Sequence, residues 1–224
     1  MSASGQLPLP FMSGRRLGET DFRLAASNAE AAALLRRTAD WPDRRLVLWG
    51  EQGCGKTHLL HIWMARTGAV LRPGPLLSGL PEMPPAGGIA IDEADVVVDE
   101  RALLHLVNGA AEAGLPVLLA ARTPPSRWVV GLPDLASRMR ATMAVQVGPP
   151  EDSLLRAVLA RLLDEHGLRV AESLQFWLLS RLPRSAAALG EAVERLDAAS
   201  LDVHRDVTVR FARSVLADLL APDA

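Results

Sequence analysis

The stretch GEQGCGKT (50–57) limits what this chain can fold into more than any other segment. It follows the apolar run RLVLWG (45–50) and opens the helical pattern KTHLLHIWMARTG (56–68). That is the strand-then-helix context which the pattern G-x-x-x-x-G-K-[ST] requires. Gly50, Gly53 and Gly55 let a backbone wrap phosphates without side-chain clashes, and successive amides then form an anion nest. The helix beginning at Lys56 points its positive end at the same place. Lys56 is placed to neutralise β- and γ-phosphates, and the Thr57 hydroxyl to hold Mg²⁺. Lys and Arg together number 24, and Lys56 is the one lysine among them. A chance glycine-rich turn is the rival reading; context, spacing and that single lysine weigh against it. Cys54 reads as a small residue tolerated in the loop rather than a redox switch.

A second acidic signal ends another buried run, GGIAIDEAD (87–95). Asp92 is the candidate for the Mg²⁺ shell and Glu93 for polarising an attacking water. A helix-capping turn is the alternative for such a carboxylate pair, and Asp95 reads as a cap or surface acid. PVLLAAR (116–122) and MAVQVG (143–148) read as further strands, and AVL (69–71) as a short one. SNAE (27–30) has the form of a capping box, with Ser27 as cap and Glu30 reaching back, opening a helix to about Arg37. DERALLHLVNGAAEAG (99–114) is a helix starting at Asp99, and 71–88 is loop. Continuous apolar strands alternating with helices indicate a parallel sheet covered on both faces.

After GPPED (148–152) four helical patterns follow with no strand between them. In the first of these, Leu155, Val158, Leu159 and Leu162 form one stripe, and Gly167 and Pro183 end the first two helices. The expected class is therefore α/β, a parallel-sheet domain over 17–148 with a small all-helical domain over 149–224 and a loose segment over 1–16. The helical part is small for a free-standing core and should pack on the sheet domain.

Composition excludes several classes. A net charge of -2 gives no overall nucleic-acid signature. One cysteine forbids a disulfide within the chain and suits a reducing compartment. No signal-peptide pattern or long apolar span is present, so a soluble cytoplasmic protein is expected. His58 and His61 lack an acidic or thiolate complement and read as helix residues rather than metal ligands. Trp41, Trp49, Trp63, Trp128 and Trp177 read as core or interface, since no basic stripe accompanies them.

Together these blocks resemble an AAA+ ATPase: a phosphate loop, an acid-ended strand and a helical lid. WGEQGCGKTHLLH (49–61), LPDLASRMR (132–140) and PRSAAALGEAVERLDAASL (183–201) are similar to the DnaA family, over roughly residues 17–220. The architecture resembles the Hda type of DnaA paralogue. The resemblance implies ADP or ATP with Mg²⁺ as cofactors, with Gly50, Gly53, Cys54, Gly55, Lys56, Thr57, His58 and Arg184 at the nucleotide and Thr57 and Asp92 at the metal. It implies Glu93, Arg138, Arg184 and Thr123 as catalytic residues: Arg138 the arginine finger, Arg184 the second sensor, and the first sensor at Arg122 or Thr123. For Arg138 a plain surface ion pair is the alternative, and Arg140 lies close by. Arg184 at a helix start is a misfit for a cation without an anionic partner, which favours a nearby phosphate. Phe22 either flanks adenine or packs in the core.

QLPLPF (6–11) is similar to the segment by which Hda-type proteins bind the β sliding clamp of DNA polymerase III. Pro8 and Pro10 keep it extended and reduce the entropy lost on docking. Gln6, Leu7, Leu9, Pro10 and Phe11 are the candidate contacts; a flap folded on this chain's own core is the alternative. The implied function is negative regulation of replication initiation by stimulating ATP hydrolysis on DnaA. Sequence-specific DNA binding and membrane contact are not expected, and a homodimer is left open. A self-sufficient ATPase such as a helicase loader is the alternative; a small-molecule kinase would need an acceptor pocket and an arginine-bearing lid.

Overall fold

The computed structural model describes residues 22–203 and 207–220. Its sheet has five strands: β1 (Arg45–Trp49), β2 (Val70–Pro73), β3 (Ile89–Asp92), β4 (Val117–Ala121) and β5 (Met143–Gln146), in the order β2-β3-β4-β1-β5. Every neighbouring pair is parallel. The strands are continuous apolar runs because both faces are covered. Leu46, Leu48, Leu118 and Ala120 point to one face, packing with α1 (Ala29–Leu35) and α2 (Lys56–Thr67). Val47, Val117, Leu119 and Ala121 point to the other, packing with α3 (Glu100–Glu112) and α4 (Pro133–Ala141). Alternation along a strand sends neighbours to opposite faces, so here each neighbour finds its own core. Trp41 stacks on Trp63 at 5.6 Å, and their indole N–H groups donate to Leu34 O and Thr38 Oγ1. Both tryptophans are core, as the sequence suggested.

The expected short strand at 69–71 is the edge strand β2, which extends to Pro73. Proline is tolerated on an edge, where no ladder amide is lost. The stretch 71–88 contains that strand end and a single helical turn, Gly74–Leu76.

The capping box at 27–30 does not form. Helix α1 is preceded by Asn28, whose side chain makes no cap bond. Instead Asn28 Oδ1 accepts from Ala25 N, and its amide donates to Arg23 O. Ser27 is diverted to a distant partner: its N–H and hydroxyl both donate to Glu151, at 2.8 and 3.0 Å. A carboxylate is a stronger acceptor for the pair than any local partner. By contrast, Asp99 caps α3 as expected, accepting from Ala102 N at 3.0 Å.

Beyond β5 come α5 (Asp152–Glu165), α6 (Glu172–Arg181), α7 (Ala186–Val203) and α8 (Val209–Val215). They enclose a core of their own built on Leu155, Leu159, Leu178, Val193 and Leu196. Of the predicted stripe on α5, Leu155, Val158 and Leu159 are buried, whereas Leu162 is only partly so and Leu163 is buried beside them. Gly167 follows α5 at φ +64°, and Pro183 follows α6. The protein is thus an α/β parallel-sheet domain followed by a small helical domain.

Candidate functional site

Strands β3, β4 and β1 are neighbours, so the segments leaving their C-terminal ends meet on one edge of the sheet. Open parallel sheets bind ligands at such edges. The loop after β1 brings Gly50–Thr57, the end of β3 brings Asp92 and Glu93, and the end of β4 brings Arg122 and Thr123.

The loop glycines have separate reasons. A side chain at Gly50 would strike the carbonyl of Val147. One at Gly53, at φ +82°, would strike Ser185 of the lid. Gly55 has open space around it, but its φ of +105° is a conformation that L side chains rarely adopt. The loop is therefore fixed by the sheet at one end and touched by the lid in its middle.

Lys56 Nζ donates to the carbonyls of Gly50 and Glu51, both at 2.8 Å, and lies 3.6 Å from Cys54 Sγ. It spans the mouth of its own loop, where an incoming phosphate would compete with those carbonyls. Thr57 Oγ1 donates to Asp92 Oδ2 at 2.8 Å, so the sequence-predicted metal pair is brought together. Hydroxyl and carboxylate oxygens are the donors a hard divalent cation prefers. Mg²⁺ takes one or two such groups and completes its shell with water and phosphate. The donor set therefore fits Mg²⁺ with a nucleotide, and the described residues contain no cluster of three acidic, histidine or cysteine ligands that would form a separate metal cage.

Glu93 occupies the left-handed region at φ +53°, ψ +46°, uncommon for a residue with a side chain. One of its oxygens lies 3.7 Å from the Arg122 guanidinium. Asp95 caps no helix. Its Oδ2 accepts the amides of Arg122 (2.8 Å) and Thr123 (3.3 Å), while Oδ1 is buried without a partner. Asp95 thus ties the end of β4 to the acidic turn after β3, a role the sequence did not reveal. The Thr123 carbonyl accepts from the Trp128 indole at 2.8 Å.

On the lid side, Arg184 precedes α7 and donates to the Pro150 carbonyl at 3.1 Å while pairing with Asp152. The supposed misfit of a cation at this helix start is resolved by that carboxylate, so it is no argument for a phosphate. The hydrogen bond and charge of Arg184 hold the Asp152 carboxyl below its ordinary value of 3.8. Glu151, next in line, is held below 4.5 by its own backbone amide and then by Ser27. Gly148 N closes the clasp by donating to Ser27 O at 2.8 Å. Ser185, which meets Gly53, also accepts from Ala188 N at 3.0 Å and so caps α7. A serine directly before a helical run was the available signal for that cap.

Arg138 lies on α4, away from these groups in bonding. Its Nε donates to Asp134 Oδ1 at 3.1 Å, one helical turn earlier, and its side chain is 38% exposed. Arg140 is exposed. His58 meets Phe22 edge-on at 5.5 Å, and Phe22 packs partly buried on the core beside α1 and α2. Gln6, Leu7, Leu9, Pro10 and Phe11 lie outside the described residues. No helix among those described is long and apolar enough to cross a membrane.

Comparison with known proteins places this geometry. Residues 152–216 match the family model of the Hda lid domain. The fold superposes on domain III of the Thermotoga maritima replication initiation protein DnaA with a TM-score of 0.76, at 16% identity, covering 92% of this chain and 98% of that one. AMPPCP-bound DnaA from Aquifex aeolicus gives 0.61 at 14% identity, over 77% of this chain and 62% of that one. An uncharacterised Haemophilus influenzae protein is 28% identical over 202 residues, 82% of this chain and 86% of that protein. An Hda lid domain over residues 152–216 thus follows a sheet domain with the fold of DnaA domain III.

Proposed function

We propose that this chain restrains replication initiation: it holds an adenine nucleotide between loop and lid and supplies Arg138 in trans to ATP-bound DnaA. The Hda lid on a DnaA-like body carries the reading, together with the position of Arg138. Among the described residues that guanidinium pairs with Asp134 on its own helix, half-exposed. Such pairs are weak and exchange readily for a stronger anion. A triphosphate on a neighbouring protein is such an anion. A guanidinium stabilises charge spreading over the transferring phosphoryl group, and a trans finger is worth roughly 10³–10⁵ in rate.

The chain's own nucleotide is held by the amides of 50–57 and by Lys56, with Thr57 and Asp92 as the residues that would hold Mg²⁺. Thr123 or Arg122 stands near the terminal phosphate, and Arg184 reads the phosphates from the lid once it leaves Asp152. The segment bearing Gln6, Leu7, Leu9, Pro10 and Phe11 docks on the β sliding clamp. Tethering there raises the effective concentration of an otherwise weak contact with DnaA. The test is capture on purified clamp: the intact chain should bind, and one lacking residues 1–12 should not. Equal capture of both would remove the clamp from the proposal.

A second reading, a self-sufficient ATPase, is favoured by the hydrogen bond of Thr57 to Asp92 with Glu93 as the next residue, its N–H donating to Asp92 Oδ1. Brisk turnover by the isolated chain, abolished by Glu93→Gln, would establish it.

A further inference from the structure

We infer, resting on the proposed trans role of Arg138, that Glu100 is its positioning residue: reaching across from α3, the Glu100 carboxylate caps α4 and sets where that helix presents its guanidinium. Among the described residues α4 has no side-chain cap of its own. Leu132 stands at the N-cap position with no acceptor to offer, and Pro133 follows without an N–H. Glu100 supplies what is missing. Its Oε1 accepts from Gly131 N and its Oε2 from Leu132 N, both at 2.7 Å. Amides donated to a carboxylate make charge-assisted bonds, stronger than neutral ones. The same carboxylate sets negative charge at the positive end of α4. Two adjacent acids at the start of α3 therefore divide the work. Asp99 caps α3 by accepting from Ala102 N, and Glu100 caps its neighbour.

The other fixings of α4 lie further along it. Leu135 and Met139 are buried in one cluster with Leu103 and Val107 of α3, which stops the helix from moving sideways. Thr142 Oγ1 donates to the Arg138 carbonyl at 2.8 Å and holds the C-terminal end. The first turn opens with Ala136 N donating to Leu132 O at 2.9 Å, so its start is the very residue that Glu100 grips. That turn also carries Asp134, the resting partner of the Arg138 guanidinium. A first turn set loose would move the place from which Arg138 departs. A displacement of about 1 Å at a group acting on the transition state can cost roughly 100-fold in rate.

Glu100→Gln tests this. It keeps the size of the side chain and turns an amide donor toward one of the two N–H groups. ATP hydrolysis by DnaA is measured with DNA-loaded clamp over a range of concentrations of the full-length chain. The maximal rate should fall about tenfold, with the half-saturating concentration within about twofold of the parent's. A merely destabilised protein would do the opposite, raising the half-saturating concentration and leaving the maximal rate. In an Arg138→Ala background Glu100→Gln should cause no further fall, because the two act through one group. In the isolated chain, the Ala136 amide should exchange about tenfold faster while β1 exchanges like the parent. A maximal rate equal to the parent's, or unchanged exchange at Ala136, overturns the positioning role and leaves the trans arginine standing. Failure of the parent chain to stimulate DnaA overturns the trans arginine, and the assignment of Glu100 to that reaction with it.

Discussion

The two walls of the proposed nucleotide cleft are held by different forces. The sheet wall rests on side chains such as Leu46, Leu48, Leu118 and Trp63, all fully buried, so its loop and acidic turn leave a rigid base. The lid wall has a core of its own and meets the sheet domain where Ser27 donates to Glu151 and where Ser185 lies against Gly53, while Asp152 and Pro150 hold Arg184 within the helical part. Burial is insensitive to salt and pH; exposed carboxylate contacts respond to both. The side proposed to hold phosphates rests on burial, and the helical side rests on contacts that acid and salt can loosen.

The comparison is easiest to break in the sheet. Trp63→Ala should cost roughly 3–5 kcal/mol and remove the base beneath both the loop and α1. Denaturant unfolding should show it, with nucleotide binding lost alongside stability. Gly53→Ala should come next. Its left-handed backbone and the nearby lid serine together cost about 1–2 kcal/mol, and nucleotide affinity by calorimetry should weaken about tenfold while the sheet melts almost normally. Asp152→Asn should be the mildest: global melting stays near the parent, but Arg184 is released and lid motion, read by hydrogen exchange across 184–190, increases.

Acid sharpens the same contrast. Asp152 and Glu151 have carboxyls held below 3.8 and 4.5. A depressed carboxyl contributes its stabilisation in full above its ordinary value and loses it as pH falls through the lower folded one. The hinge contacts should therefore persist through the neutral range and fail only below about pH 4, with the lid loosening before the sheet. Exchange rates measured separately for α7 and β1 would check the order, and simultaneous loss of both would erase the distinction between the walls.

Local chemistry was legible in the sequence and long-range pairing was not. GEQGCGKT announces its strand and helix because glycine spacing, lysine and hydroxyl act within one turn. The sheet strands were readable because burial on both faces makes each an unbroken apolar run. Ser27 was misread because a capping box is only one use of a serine hydroxyl; its partner Glu151 is 124 residues away. Arg184 looked unpartnered for the same reason, with Asp152 32 residues distant. Asp95 and Arg122 meet only because β3 and β4 are adjacent, which strand order decides and local pattern does not.

The proposed role of Arg138 is most directly tested by the rate at which DnaA hydrolyses bound ATP in the presence of DNA-loaded clamp and this chain. Among the described residues Arg138→Ala breaks a half-exposed pair with Asp134, so the variant should fold, bind nucleotide and be captured by the clamp like the parent. The prediction is that stimulation by the variant falls by roughly 10³-fold or to background. Stimulation equal to the parent's, with Arg138 absent, would contradict a trans arginine at this position.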